Sequence, residues 1–137
     1  MAKVLVVEDD SNLAEIYRLS LEKENYLTVW AENGRRALRW LEEELNPHLV
    51  ILDVGLPDMS GVEVCKQIKN NYKTRDIPII ILTGFTDNKV KMDANLTAHA
   101  DLFLNKPIDI ADLLRASAEI IAAKEKERKI RKMHFRM

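Results

Sequence analysis

Short runs of apolar residues recur along the chain, and each run ends in polar or turn-forming residues. The clearest runs cover residues 4–7, 49–52, 77–82 and 102–104. An unbroken apolar run of this length, bounded by turn residues, is typical of a parallel strand that is covered on both faces. Residues 26–30 alternate instead, with Leu27 and Val29 on one side. This alternation predicts a further strand nearer the edge of the sheet.

Helical spacing of apolar residues separates these runs. The residues predicted to face inward are Leu13, Ile16, Ser20 and Leu21 on a first helix, Ala37, Leu38 and Leu41 on a second, and Val64, Cys65 and Ile68 on a third. Asp10 or Ser11 can cap the first helix, and Ser60 can cap the third. A thinner stripe over residues 86–98 predicts a fourth helix, and a final helix begins near Asp109. Strands that alternate with helices in this way predict an α/β fold, with one doubly wound parallel sheet of five strands.

Composition and charge indicate one domain followed by a basic C-terminal segment. The chain has 137 residues, 47% of them hydrophobic, which is enough for one domain with a single core. Cys65 is the single cysteine, and no apolar run approaches the ~20 residues of a membrane span, so we expect a cytoplasmic protein. Residues 124–137 carry seven Lys or Arg against two Glu, although the net charge is −1. We therefore expect a domain over residues 1–123 and a basic extension or linker over 124–137.

Polar side chains stand at the carboxyl ends of four predicted strands. They are Glu8, Asp9 and Asp10 on the first strand, Asp53 on the third, Thr83 on the fourth and Lys106 on the fifth. The carboxyl ends of parallel strands share one edge of the sheet, where ligands bind. Clustered carboxylates repel one another unless a cation neutralises them, and oxygen ligands favour Mg²⁺. Carboxylate, metal, hydroxyl and ammonium groups together suit phosphoryl transfer, although acidic residues at strand ends can also be solvated or cap helices.

Four sequence motifs carry these side chains. They are Val-Val-Glu-Asp-Asp at 6–10, Leu-Asp-x-x-Leu-Pro-x-x-x-Gly at 52–61, Leu-Thr-Gly at 82–84 and Asn-Lys-Pro at 105–107. With these motifs, residues 3 to about 123 resemble the receiver domain of two-component response regulators, of the chemotaxis-regulator-like kind. The resemblance implies a flavodoxin-like sheet with strand order 2-1-3-4-5. It also implies a switching module that catalyses only its own phosphorylation and dephosphorylation.

The resemblance assigns a role to each carboxylate. Asp53 would be the phosphoacceptor, taking a phosphoryl group from a sensor histidine kinase or a phosphotransfer protein. Glu8 and Asp9 would hold Mg²⁺ together with Asp53 and the backbone carbonyl of Gly55. Asp10 falls outside that pair and is expected to cap the first helix.

The remaining motif residues would form the switch. By the resemblance, Thr83 would move to meet the phosphoryl group, Lys106 would pair with it, and Phe103 would change rotamer in response. The Lys106–Pro107 peptide bond would be cis. The switched surface would comprise the fourth helix, the fifth strand and the fifth helix, through which homodimers commonly form in this family.

Three alternatives remain open at this stage. A Mg²⁺-dependent phosphohydrolase with an aspartyl nucleophile typically places a second acid two residues later, where this chain has Gly55. A flavin carrier would need a hydroxyl-rich phosphate loop at the position of Glu8 and Asp9, which would repel a phosphate. A receiver that is never phosphorylated would serve as an interaction module. The basic residues 124–137 hold a single aromatic residue of the Phe, Trp or Tyr type, Phe135, and no base-reading motif, so direct nucleic-acid binding is not expected.

Overall fold

A five-stranded parallel sheet forms the centre of the molecule. The computed structural model describes residues 1–84 and 99–136. The strands are β1 (Lys3–Val7), β2 (Leu27–Ala31), β3 (Leu49–Asp53), β4 (Ile79–Thr83) and β5 (Leu102–Asn105). Their order in the sheet is β2-β1-β3-β4-β5, as the family resemblance implied. From β1 the strands are added first on one side (β2) and then on the other (β3, β4 and β5). Open α/β sheets bind ligands at such a switch point, which here lies between β1 and β3.

Helices cover both faces of the sheet. They are α1 (Ser11–Lys23), α2 (Gly34–Glu42), α3 (Gly61–Lys69) and α4 (Ile110–Arg136). On one face, α2 and α3 pack on alternate strand residues such as Val50 and Leu52. On the other face, α1 and α4 pack on the intervening residues, including Ile51. This arrangement confirms the doubly wound fold; the helix predicted over residues 86–98 lies outside the described residues.

The predicted inward face is confirmed for α3 and only in part for α1, where Leu21 is buried as predicted. Val64, Cys65 and Ile68 are all buried, and burial raises the pKa of the Cys65 thiol to about 12. On α1, however, the buried residues are Ala14, Tyr17 and Leu21, and Ile16 is 48% exposed. The prediction for Ile16 was wrong because the buried stripe passes through Tyr17, about 100° further round the helix.

Local chemistry sets several element boundaries. Asp10, not Ser11, is the N-cap of α1, and its Oδ1 accepts hydrogen bonds from the backbone N–H groups of Asn12 and Leu13. Ser60 caps α3, as predicted. β4 begins two residues later than its apolar run because Pro78 has no N–H to donate, although its carbonyl accepts from the N–H of Val50.

The last helix is much longer than the others. It continues without a break through Arg136, and residues 125–135 are exposed. Arg131, at 3.8 Å from Asp76, forms an ion pair with the loop before β4. The helix thus continues beyond residue 123. The domain boundary at that residue, with 124–137 as an extension or linker, stays a prediction. Among the described helices, none is both long and apolar enough to cross a membrane.

Candidate functional site

A pocket of about 410 Å³ opens at the carboxyl edge of the sheet. The predicted site residues that line it are Glu8, Asp9, Asp53, Gly55, Thr83 and Lys106. Phe103 does not line this pocket. It lies on β5 opposite Ile81 of β4 and packs, partly buried, against the core on the α2 and α3 face. The strand ends therefore bring together the predicted chemical groups, whereas Phe103 lies outside the pocket.

Asp53 and Lys106 form the shortest ion pair in the pocket. Asp53 is the last residue of β3 and is 4% exposed, and the Nζ of Lys106 lies 2.6 Å from its Oδ1. The backbone N–H of Lys106 donates to the carbonyl of Thr83, which anchors the residue beside β4. Burial alone would lower the pKa of Lys106, but the hydrogen bond and the charge of Asp53 raise it. Lys106 is therefore a fixed positive charge, and its bond to Pro107 is cis, as expected.

Glu8 is a buried carboxylate that the surrounding protein neutralises only weakly. Its side chain is almost fully buried, and its Oε1 has no hydrogen-bond partner. The nearest cation is the Nζ of Lys106, 3.9 Å from Oε1. Burial and the neighbouring charge of Asp53 raise the pKa of Glu8 to about 7, against the opposing effect of Lys106. A buried carboxylate oxygen without a partner leaves a clear opening for a further cation.

Three carboxylates of the pocket can share one cation. Glu8, Asp9 and Asp53 each offer an oxygen, and these oxygens lie within 4.8 Å of one another. A methyl group added at Gly55 would meet Oδ2 of Asp53 at 3.6 Å, so the glycine leaves this side of the carboxylate uncovered. An all-oxygen donor set of this charge, with room for water, fits Mg²⁺.

Thr83 supplies the hydroxyl group of the pocket. It is the last residue of β4 and is buried, and its hydroxyl donates to the carbonyl of Gly84 at 3.4 Å. Its neighbour Leu82 pairs with Asp53 across the β3–β4 ladder. The sheet thus places this hydroxyl beside the carboxylate of the adjacent strand.

The loop that follows Asp53 is held at two points. The N–H of Gly61 donates to the carbonyl of Val54, and a Cβ at Gly61 would overlap the backbone carbonyl of Asp53. Asp58 accepts hydrogen bonds from the N–H groups of Gly34 and Arg35, each at 2.9 Å, at the start of α2. Burial alone would raise the pKa of Asp58, but these hydrogen bonds lower it below its usual value.

Sequence analysis did not identify Asp58 as part of the site's support. A single Asp in a loop carries no pattern that names its partner, because the bonds join residues 23 and 24 positions apart. The contact became visible only from the fold.

Comparisons with known proteins agree with this geometry. Residues 4–118 match the family model of the response regulator receiver domain. The response regulator ArlR of Staphylococcus saprophyticus is 41% identical over 116 residues, which cover 83% of this chain and 50% of the relative. ArlR of Staphylococcus epidermidis is 42% identical with the same coverage. The chain spans about half the length of these curated relatives.

Solved structures extend the comparison to the fold and lead to the family assignment. A CheY-like response regulator receiver domain protein from Methanospirillum hungatei has a TM-score of 0.85 at 28% identity, covering 93% of this chain and 98% of that one. The receiver domain of a signal transduction histidine kinase from Syntrophus aciditrophicus has a TM-score of 0.83 at 32% identity, covering 90% and 92%. Sequence, fold and strand-end chemistry therefore agree, and the chain belongs to the response regulator receiver domain family.

Proposed function

We propose that the chain is a Mg²⁺-dependent phosphoacceptor module that takes a phosphoryl group on Asp53. The donor is a phosphohistidine on a sensor histidine kinase or a phosphotransfer protein. The observation that carries the proposal is the buried Asp53 carboxylate, held 2.6 Å from Lys106 and next to the unpartnered Oε1 of Glu8. This arrangement concentrates negative charge around one nucleophile and supplies one fixed cation.

The chemistry follows from the positions of these groups. An oxygen of Asp53 forms a bond to phosphorus while the bond from phosphorus to the histidine nitrogen breaks and its electron pair returns to the imidazole. Oδ1 is paired with Lys106, and Oδ2 faces the open side at Gly55. Lys106 can transfer its hydrogen bond to a phosphoryl oxygen, and the Thr83 hydroxyl can donate to another. Glu8, Asp9, Asp53 and the carbonyl of Gly55 would hold Mg²⁺, which would neutralise negative charge on the phosphoryl oxygens.

Phosphorylation of Asp53 would change the charge next to the switch residue Thr83. The phosphoryl group carries about −1.5 to −2 charge and three strong acceptors in place of one carboxylate charge. Thr83 thereby gains an acceptor that exists only in the modified state, and Phe103 on β5 responds to its movement. A contact surface that includes β5 and α4 then favours its active form, with homodimerisation as one output.

The absence of a second acid at Gly55 argues against hydrolysis of free substrates. We therefore propose a switch that modifies only itself, and we propose separately that it acts in the cytoplasm. We propose that the switch passes its signal to an output domain or to a separate downstream protein.

Intact-mass measurement after treatment with acetyl phosphate tests the proposal. The wild-type chain should gain a single phosphoryl adduct with Mg²⁺ and none with EDTA, and Asp53→Asn should gain none. Asp10→Asn is the matched control: Asp10 caps α1, and we expect this variant to retain the adduct. Size-exclusion chromatography of the same samples reports whether phosphorylation changes the oligomeric state. If the wild type gains no adduct, the chain is a receiver-like interaction module that does not act through Asp53.

A further inference from the structure

Trp30 on the edge strand β2 makes a hydrogen bond to the backbone of Glu8. Its indole Nε1 donates to the carbonyl oxygen of Glu8 at 2.7 Å. The N–H of Glu8 donates to the carbonyl of Ala31 at 3.1 Å. β1 ends at Val7, so Glu8 lies just beyond the strand. Both backbone groups of Glu8 are nevertheless paired with residues at the end of β2.

This bond fixes the link between the two adjacent acids. The carbonyl of Glu8 belongs to the planar peptide unit that joins Glu8 to Asp9. Holding its oxygen therefore holds the orientation of that plane and the direction in which Asp9 leaves β1. The side chain of Asp9 is exposed and has little packing of its own, whereas that of Glu8 is buried. The relative position of the two carboxylates thus depends on the backbone between them.

Trp30 is well placed to hold this backbone. Its side chain is half-buried and lines a groove with Glu15 and Leu19 on α1. The ring therefore lies between the edge strand and the helix that follows the two acids. An aromatic ring has only two side-chain torsions to order, so it makes a stiff donor at low entropic cost.

We propose that Trp30 is a positioning residue for the acidic pair. Its hydrogen bond holds the Glu8–Asp9 peptide so that Glu8, Asp9 and Asp53 can share one Mg²⁺. This inference rests on the proposed function, because it requires that the cluster bind the cation. Groups that orient metal ligands without touching the metal change metal affinity by roughly 10- to 100-fold when removed. Trp30 acts through a backbone group, so we expect the lower end of that range.

Isothermal titration of the full chain with MgCl₂ is the primary test. Trp30→Phe keeps an aromatic ring and removes the donor, and it should weaken Mg²⁺ binding by about tenfold. Trp40→Phe is the matched control, because Trp40 lies on α2 beneath the guanidinium of Arg36 and away from the acidic pair. It should bind Mg²⁺ as the wild type does. Thermal unfolding without Mg²⁺ is measured for all three chains.

Fluorescence gives a second readout that does not depend on Trp30→Phe folding well. The chain has two tryptophans, so in Trp40→Phe the tryptophan emission comes from Trp30 alone. That emission should change on addition of Mg²⁺ with a midpoint equal to the calorimetric Kd. In Trp30→Phe, the emission of Trp40 should not respond.

The outcomes separate the two proposals. If neither calorimetry nor tryptophan emission detects Mg²⁺ binding to the wild type, the Mg²⁺ dependence in the proposed function is wrong and the role of Trp30 falls with it. If the wild type binds and Trp30→Phe binds within twofold of it, only the role of Trp30 is wrong. Lower thermal stability of Trp30→Phe with an unchanged Kd would make Trp30 a purely structural residue. An Mg²⁺-insensitive Trp30 emission would also overturn the inference.

Discussion

Replacing Glu8 by Gln should stabilise the protein in the absence of Mg²⁺. The stabilisation should be present at neutral and higher pH and absent in acid. Glu8 is 1% exposed, and its Oε1 has no hydrogen-bond partner. Burial and the charge of Asp53 raise the pKa of Glu8 from 4.5 to about 7. Each pKa unit corresponds to about 1.4 kcal/mol, so the ionised group costs the fold about 3 kcal/mol. Glutamine keeps the size of the side chain and removes that charge.

The sign of the effect follows from proton binding. Between pH 4.5 and about 7, the folded chain holds a proton on Glu8 that the unfolded chain has lost, so wild-type stability falls as pH rises. Below this window the two chains should be similarly stable. Above it, Glu8→Gln should be more stable than the wild type by up to about 3 kcal/mol, because the wild type then buries a charge that glutamine lacks.

Urea denaturation in EDTA at pH 5, 6, 7 and 8, followed by circular dichroism, measures this difference. Glu15→Gln is the matched control, since Glu15 is exposed on α1 and its loss should change stability little at any pH. Adding Mg²⁺ at pH 8 should stabilise the wild type and leave Glu8→Gln nearly unchanged. The reasoning fails if the advantage of Glu8→Gln is equal at pH 5 and pH 8, or if the wild type is the more stable chain at pH 8.

Two further predictions concern the loop after Asp53. Gly61→Ala should destabilise the fold by about 2 kcal/mol or more in urea denaturation, because its Cβ would overlap the carbonyl of Asp53. Gly55→Ala should be nearly neutral in the same measurement, and equal losses for both would contradict the packing argument. Asp58→Ala should cost about 1 kcal/mol at neutral pH by removing the acceptor for two N–H groups at the start of α2, and Asp58→Asn should cost less. Because the pKa of Asp58 is lowered, this contribution is lost as pH falls through its folded value, and a cost that persists unchanged in acid would refute it.

The sheet and the positions of the site residues were predictable because buried parallel strands appear in the sequence as continuous apolar runs. Every residue of β3 and β4 is buried, so the apolar runs are continuous and their ends are easy to locate. Parallel pairing then places the strand ends at one edge, so the sequence alone predicts that Asp53, Thr83 and Lys106 lie together.

The supporting contacts were not predictable in the same way. Trp30 reaches Glu8 across 22 positions of sequence, and Asp58 reaches α2 across 24. Such bonds depend on how strands and loops are placed in space, whereas periodicity reports only which face of one element is apolar. The exposure of Ile16 has the same origin. The apolar pattern fitted two neighbouring stripes of α1, and packing against β1 and β3 selected the one through Tyr17.

The length of α4 has a mechanical consequence. Its last buried residue is Ile121, and the helix continues for about 15 residues to Arg136. At a rise of 1.5 Å per residue, this arm reaches about 22 Å past the packed part of the helix. A tilt of about 5° where α4 rests on the sheet therefore moves the far end by about 2 Å. The extension would therefore act as a lever, converting a small change of tilt at the sheet into a larger displacement of its far end.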